Sequence, residues 1–140
     1  MHKHILIATD GSTLAQKGVA AGLELARQFG AKITAVTVSE PATHLVPDAG
    51  FVEMPEAEED AARAILDAVA EAAGEADIAC ETVHVRNQYP AEAILKTAET
   101  QGCDMIVMAS HGRRAIGRML LGGEAVRVIT HAHVPVLVCK

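Results

Sequence analysis

DMIVMASHGRRAIGRMLLGG, Asp104 to Gly123, joins an apolar strand to a loop of unusual composition. Asp104 to Ala109 is almost continuously apolar and short, the pattern of a strand covered on both faces, as parallel sheets require. Four glycines and three arginines follow between Ala109 and Gly123. Glycines let backbone N–H groups approach an anion with no Cβ in the way, and a helix that starts where such a loop ends adds the positive end of its dipole. The stretch reads as strand, anion cradle and helix start of a parallel α/β fold, with phosphate as the expected guest.

Working outward, four more runs rich in Val, Ile and Ala read as strands: His4 to Thr9, Lys32 to Val38, Ile78 to Val85 and Val134 to Cys139. The first, fourth and fifth strands are nearly continuous in apolar character, whereas the third alternates and belongs nearer an edge. Helices are punctuated between them. Ser12 caps one whose Ala15, Val19, Leu23 and Ala26 recur at helical spacing, with Gly30 placed to end it. Pro55 opens the second, with Ile65, Leu66 and Val69 inward and Gly74 at its close. Pro90 and Gly102 bracket the third, and the fourth starts near Gly123 and buries Val126 and Ile129. Strands alternating with helices imply right-handed crossovers and a sheet between two helical layers. Ser39 to about Met54 is longer than such a connection requires, a sign of a functional or mobile loop.

The 140 residues, half of them apolar, suffice for one domain spanning 1–140 that buries roughly 70% of its unfolded surface. A formal charge of −6 and only Phe29, Phe51 and Tyr89 as aromatics argue against nucleic-acid binding. The charge is unevenly placed. Glu40 to Glu81 holds twelve carboxylates against Arg63, while Ala109 to His131 holds Arg113, Arg114, Arg118 and Arg127 against Glu124. The acidic run reads as a solvated helix face, with a partner surface as the alternative. Cys80, Cys103 and Cys139 lack the spacing of a disulfide framework or zinc site, which fits reduced thiols and the cytoplasm. The apolar run in MHKHILIATDG is too short for a signal peptide or a membrane span.

In open α/β sheets the ligand crevice lies at the carboxyl ends of strands where the order of addition reverses. With strand four beside strand one, opposite strand two, Asp10 and the glycine loop meet there. ILIATDGS (Ile5–Ser12), SHGR (Ser110–Arg113), LLGG (Leu120–Gly123) and HVPVLVCK (His133–Lys140) together resemble the universal stress proteins of the UspA superfamily, nearly end to end. The resemblance implies a single-domain Rossmann-like three-layer sandwich, a five-stranded parallel sheet in order 3-2-1-4-5, and a homodimer through the last strand, Val134 to Cys139. The family's nucleotide-binding branch is marked by Gly, two residues, Gly, nine residues, Gly and then Ser or Thr. Gly112 and Gly122 keep that spacing, Ala109 stands at the first glycine, and Gly123 replaces the hydroxyl residue.

By position, the resemblance assigns adenine recognition to Ala8, Thr9, Asp10 and Val38, places Met108 and Ala109 beside the ribose, and puts Gly112, Arg113, Gly122, Gly123 and Glu124 at the phosphates of ATP or a related adenine nucleotide. Backbone amides and a guanidinium suit phosphate oxygens. Asp10 would need Mg²⁺ or ligand hydroxyls in that role, and competes with a reading as a cap of the first helix. Losing a hydroxyl donor at Gly123 costs roughly ten- to hundredfold in affinity. Gly112 to Met119 mimics the start of GxxxxGK[ST] but lacks its Lys and hydroxyl, so a P-loop is rejected. Ser110 and His111 are read as a turn hydrogen bond and a structural or phosphate-facing imidazole, because no third group orients them for nucleophilic catalysis. The His2/His4 and His131/His133 pairs are read as strand-end or surface histidines rather than metal ligands. No catalytic residue is assigned, and slow hydrolysis would rest on Mg²⁺ with Arg113 or Arg114. Pro135 suits an edge strand whose apolar character calls for a symmetric partner. A nucleotide-independent interaction module of the same fold is the alternative.

Overall fold

The computed structural model describes residues 2–112 and 121–140. Seven strands and four helices follow in the order β1 (His4–Ala8), α1 (Thr13–Phe29), β2 (Lys32–Ser39), β3 (Thr43–Val46), β4 (Gly50–Glu53), α2 (Pro55–Glu75), β5 (Cys80–Arg86), α3 (Pro90–Gln101), β6 (Met105–Ala109), α4 (Gly123–His131) and β7 (Val136–Cys139). Five of the strands form a parallel sheet in order β5-β2-β1-β6-β7. Allowing for the two extra strands in the numbering, this is the expected order 3-2-1-4-5. The alternating strand lies at one edge and the Pro135 strand at the other, as their sequences required.

Strict alternation along the central strands divides the core. Ile5, Ile7, Ile33, Ala35 and Val107 pack toward α1 and α2, while Leu6, Ala8, Val36, Ile106 and Met108 pack toward α3 and α4. The two layers of helices therefore share one sheet whose central side chains are almost wholly withdrawn from water. Closest of all is the contact made by α1. A Cβ on Gly22 would sit 2.5 Å from Ile7 Cδ1, and one on Gly18 would sit 3.3 Å from the Met108 carbonyl carbon. Two bare positions, one turn apart, seat this helix on the β6 backbone at Gly18 and on the Ile7 side chain of β1 at Gly22.

Helix ends follow local chemistry. The Ser12 hydroxyl accepts the Ala15 N–H, and Gly30 and Gly102 end α1 and α3 in the left-handed region. α2 departs from expectation at its end. Gly74 stays within the helix, and the left-handed residue is Asp77 (φ 57°), beyond which the Ile78 N–H returns to the Ala73 carbonyl. Asp tolerates this conformation better than most residues, so it closes the turn without glycine. α4 is a second correction: Ala125 and Val128 are buried, whereas Val126 and Ile129 are each 45% exposed. The long connection after β2 folds into the antiparallel ribbon β3–β4.

Opposite the crevice, at the amino end of the sheet, His4 is buried, and its Nε2 lies 2.7 Å from Thr34 Oγ1. His2 instead meets Asp104 at 3.3 Å and tilts against Phe29. The two imidazole rings thus have separate partners, and the described residues hold no group of three or more metal-ligating side chains. Burial, helped by nearby Lys32, lowers the His4 pKa, and burial pushes the Cys103 thiol up to about 11.

Two outcomes follow from this packing. Gly22→Ala gains about 1 kcal/mol of helix propensity but overpacks Ile7, for an expected net loss of about 1–2 kcal/mol, while Gly74→Ala, with open space at its Cβ, gains up to about 1 kcal/mol. Urea midpoints of the two variants should therefore move in opposite directions. Because the folded His4 pKa is depressed, its contribution is complete above the ordinary value of 6.5 and is lost as pH falls through the lowered one. The urea midpoint should drop more between about pH 7.5 and about pH 5.5 in the native chain than in His4→Gln.

Candidate functional site

TDGS, Thr9 to Ser12, turns β1 into α1 through short side chains bonded to nearby amides. The Thr9 N–H extends the ladder to the Val36 carbonyl (3.0 Å), and Thr9 Oγ1 accepts the Gly11 N–H (3.2 Å). Asp10 Oδ1 accepts the Ser12 N–H at 2.9 Å, and Gly11 takes φ 77°, which glycine adopts without penalty. The helix cap is thus Ser12, and Asp10 shapes the turn before it. Its second oxygen, Oδ2, points across the crevice. A Cβ on Gly112 would lie 2.5 Å from it, so a side chain at this point of the glycine loop would have to displace the Asp10 carboxylate.

On the β6 side, Ser110 is buried, its N–H bonded to the Cys139 carbonyl at 2.7 Å. Its own carbonyl accepts the Gly122 N–H at 2.8 Å. A Cβ on Gly122 would stand 3.0 Å from that carbonyl, which explains the glycine sterically. Gly122 also precedes α4 without offering a side-chain cap, and Gly123 faces open space. The first amides of α4 lack intrahelical partners by the geometry of any helix start and carry the positive end of its dipole.

His111 Nδ1 lies 3.1 Å from Ser110 Oγ, and its Nε2 is buried with no hydrogen-bond partner among the described residues. If the hydroxyl donates to Nδ1, Nε2 carries the proton and is a donor awaiting an acceptor. Ser110 and His111 do touch, which adjacency in the sequence made improbable. Yet the hydroxyl belongs to a residue only 3% exposed, and no carboxylate among the described residues meets the far nitrogen, so within them the pair has neither the access nor the third member that nucleophilic catalysis needs.

The structure brings Thr9, Asp10, Ala109, Gly112 and Gly122 together at the carboxyl ends of β1 and β6. Ala8 and Met108 lie just inside, in the core toward α3 and α4, and Val38 is half-buried on that face near the end of β2. Gly123 opens α4. Glu124 has a different engagement: its Oε2 accepts the Ala91 N–H at 2.7 Å. Tyr89 provides no side-chain cap for α3, and Glu124 supplies an acceptor from the neighbouring helix instead. No sequence signal announced this, because the partners are far apart in the chain. Arg113, with Arg114 and Arg118, lies outside the described residues. Arg127 is exposed beside Tyr89, Glu92, Leu95 and His131 in an open groove of about 350 Å³ between α3 and α4, apart from the crevice.

A parallel α/β sandwich with a glycine loop at its switch point, facing an Asp-bearing turn, defines a class of small Rossmann-like domains. The family model for the universal stress protein family matches residues 1–140. A universal stress protein of Methanocaldococcus jannaschii is 32% identical over 142 residues, covering 100% of this chain and 83% of that protein, and one from Thermus aquaticus is 31% identical over 140 residues with both chains fully covered. The chain belongs to the universal stress protein family. Among solved structures, a universal stress protein from Archaeoglobus fulgidus superposes with TM-score 0.77 at 21% identity over 100% of both chains. Another from that organism, in complex with dAMP, gives 0.73 at 20% identity over 99% and 98%, and an Arabidopsis thaliana family protein with AMP bound gives 0.63 at 16% over 99% and 91%. No helix among the described residues is long and apolar enough to cross a membrane.

The Glu124 contact is testable. Glu124→Ala strips an acceptor from a partly buried helix amide and should lower stability by about 1–2 kcal/mol, whereas Glu92→Ala, on an exposed face of α3, should change it by less than about 0.5 kcal/mol in the same urea titration.

Proposed function

We propose that this chain is a cytoplasmic stress-response protein that binds ATP or a related adenine nucleotide between the Asp10 turn and the Gly112–Gly123 loop, acting as a homodimeric sensor or regulator rather than an enzyme. The supporting observation is the close pass of Gly112 by Asp10 at the carboxyl ends of adjacent β1 and β6, where a Cβ would displace the Asp10 carboxylate. The orphaned His111 Nε2 and the uncapped start of α4 supply donors suited to phosphate oxygens beside it. Family proteins of the same fold have been solved with cAMP, dAMP and AMP. Asp10 would contact ligand hydroxyls or share a Mg²⁺ with the phosphates, since a bare carboxylate repels them. Among the described residues the site offers positioning groups and no poised base, which favours binding over turnover. Dimerisation would use β7, a partly exposed apolar edge strand.

One observation favours a nucleotide-independent interaction module instead. The Gly122 amide, expected at the phosphates, is already bonded to Ser110, and Ala109 and Gly123 each remove a feature of the family's binding pattern.

Mass spectrometry of small molecules released from denatured protein, followed by calorimetric titration of the stripped protein with Mg·ATP and AMP, separates the two. We expect saturable binding that Gly112→Val abolishes and that Gly123→Ser tightens by roughly tenfold or more through the restored hydroxyl. No co-purified nucleotide and no saturation at millimolar concentrations would sink the binding reading.

A further inference from the structure

The ribbon β3–β4 carries apolar side chains on both faces. Leu45 pairs directly with Phe51, and alternation turns Val46 and Val52 the other way. Val46 and Val52 are partly shielded, while Leu45 and Phe51 are 71% and 73% exposed. With Met54 just beyond the ribbon, 44% exposed, these are three of the six exposed large hydrophobic residues among those described. A cross-strand pair of this size left in water is characteristic of a docking surface.

The ribbon is held in place at its base. Arg86, at the end of β5, donates to Glu58 of α2 at 2.6 Å and lies 3.9 Å from Glu53, the last residue of β4. The Ala42 N–H, leading into β3, reaches the same Glu58 at 3.4 Å. The Arg86 bond holds the Glu58 carboxyl below its usual range, and both ends of the ribbon are tied to one ion cluster. An anchored apolar pair loses less freedom on binding than one on a loose loop.

Charge identifies what covers it. Residues 40–60 contain seven carboxylates and no lysine or arginine, and although Arg86 meets Glu53 and Glu58 and Arg63 meets Glu59, the surroundings stay net acidic. A second copy docking by the same face would bring two such stretches together, and an anionic lipid surface would be repelled in the same way. A partner that combines apolar anchors with basic residues satisfies both the exposed pair and its surroundings. We propose that the Leu45–Phe51 face docks an amphipathic segment of another protein, one with large apolar side chains flanked by lysine or arginine. This docking is independent of the crevice.

The probe is a fluorescein-labelled peptide of leucine and lysine at helical spacing, roughly 18 residues long, titrated into the full chain by anisotropy beside its leucine–glutamate counterpart. We expect saturable binding of the lysine peptide only, with amide shifts in the NMR spectrum centred on residues 43–54. Leu45→Ser with Phe51→Ser should weaken it at least about tenfold with an unchanged melting temperature, and Glu56→Gln with Asp60→Asn severalfold. Gly112→Val should bind like the native chain, which keeps this result separate from nucleotide binding. No saturable binding, or equal binding by the double serine variant, overturns the proposal. So does sedimentation showing that the double serine variant dissociates an oligomer of the native chain, because a second copy then covers the face.

Discussion

The close seating of α1 is the constraint on which the crevice depends. Gly18 lowers the helix onto the β6 backbone and Gly22 onto the Ile7 side chain of β1, and the turn that feeds it, Thr9 to Ser12, is closed by bonds from Asp10 and Ser12. A Cβ at Gly22 would press on Ile7 and one at Gly18 on the Met108 main chain, both beneath the helix that Asp10 leads into. Asp10 is then positioned where Gly112 must pass, so a packing feature in the middle of the helix sets the width of a gap at its start. Core and crevice are coupled through one rigid element.

Much of this was legible in the sequence, for a physical reason. Strands buried on both faces must be apolar throughout, and helix ends need particular residues, so β1, β2 and β6 and the ends of α1 and α3 declare themselves. α4 misleads because Val126 and Ile129 are more hydrophobic than Ala125, yet the face beside α3 needs a small residue. Glu124 can reach the Ala91 amide only if its neighbour lets the helices close up. Gly74 has the composition of a left-handed helix end, but its position inside the last turn leaves that role to Asp77. The ribbon β3–β4 has no clear alternation in its sequence, because both of its faces carry apolar side chains.

The site was legible to a different degree. Spacing and resemblance located Asp10, Gly112, Gly122 and Gly123 in one neighbourhood, where the structure also places them. They could not reveal how each group is employed. Gly122 spends its amide on Ser110, Glu124 spends its carboxylate on α3, and His111 alone retains a buried nitrogen with nothing to bond among the described residues. Hydrogen-bond allegiance is a property of three-dimensional neighbours, and neither composition nor spacing encodes it.

The bond from the Gly122 amide to the Ser110 carbonyl has an evolutionary consequence. It joins the two ends of the glycine loop through main-chain atoms alone, so no side-chain replacement in residues 111–121 removes either partner. The bond itself therefore sets no side-chain requirement between its two ends, although Gly112 still passes against the Asp10 carboxylate, and a change in loop length adds a closure cost that grows only logarithmically. A fold with such a clasp can explore new ligand preferences by drift in one segment while the sheet beneath it keeps its register.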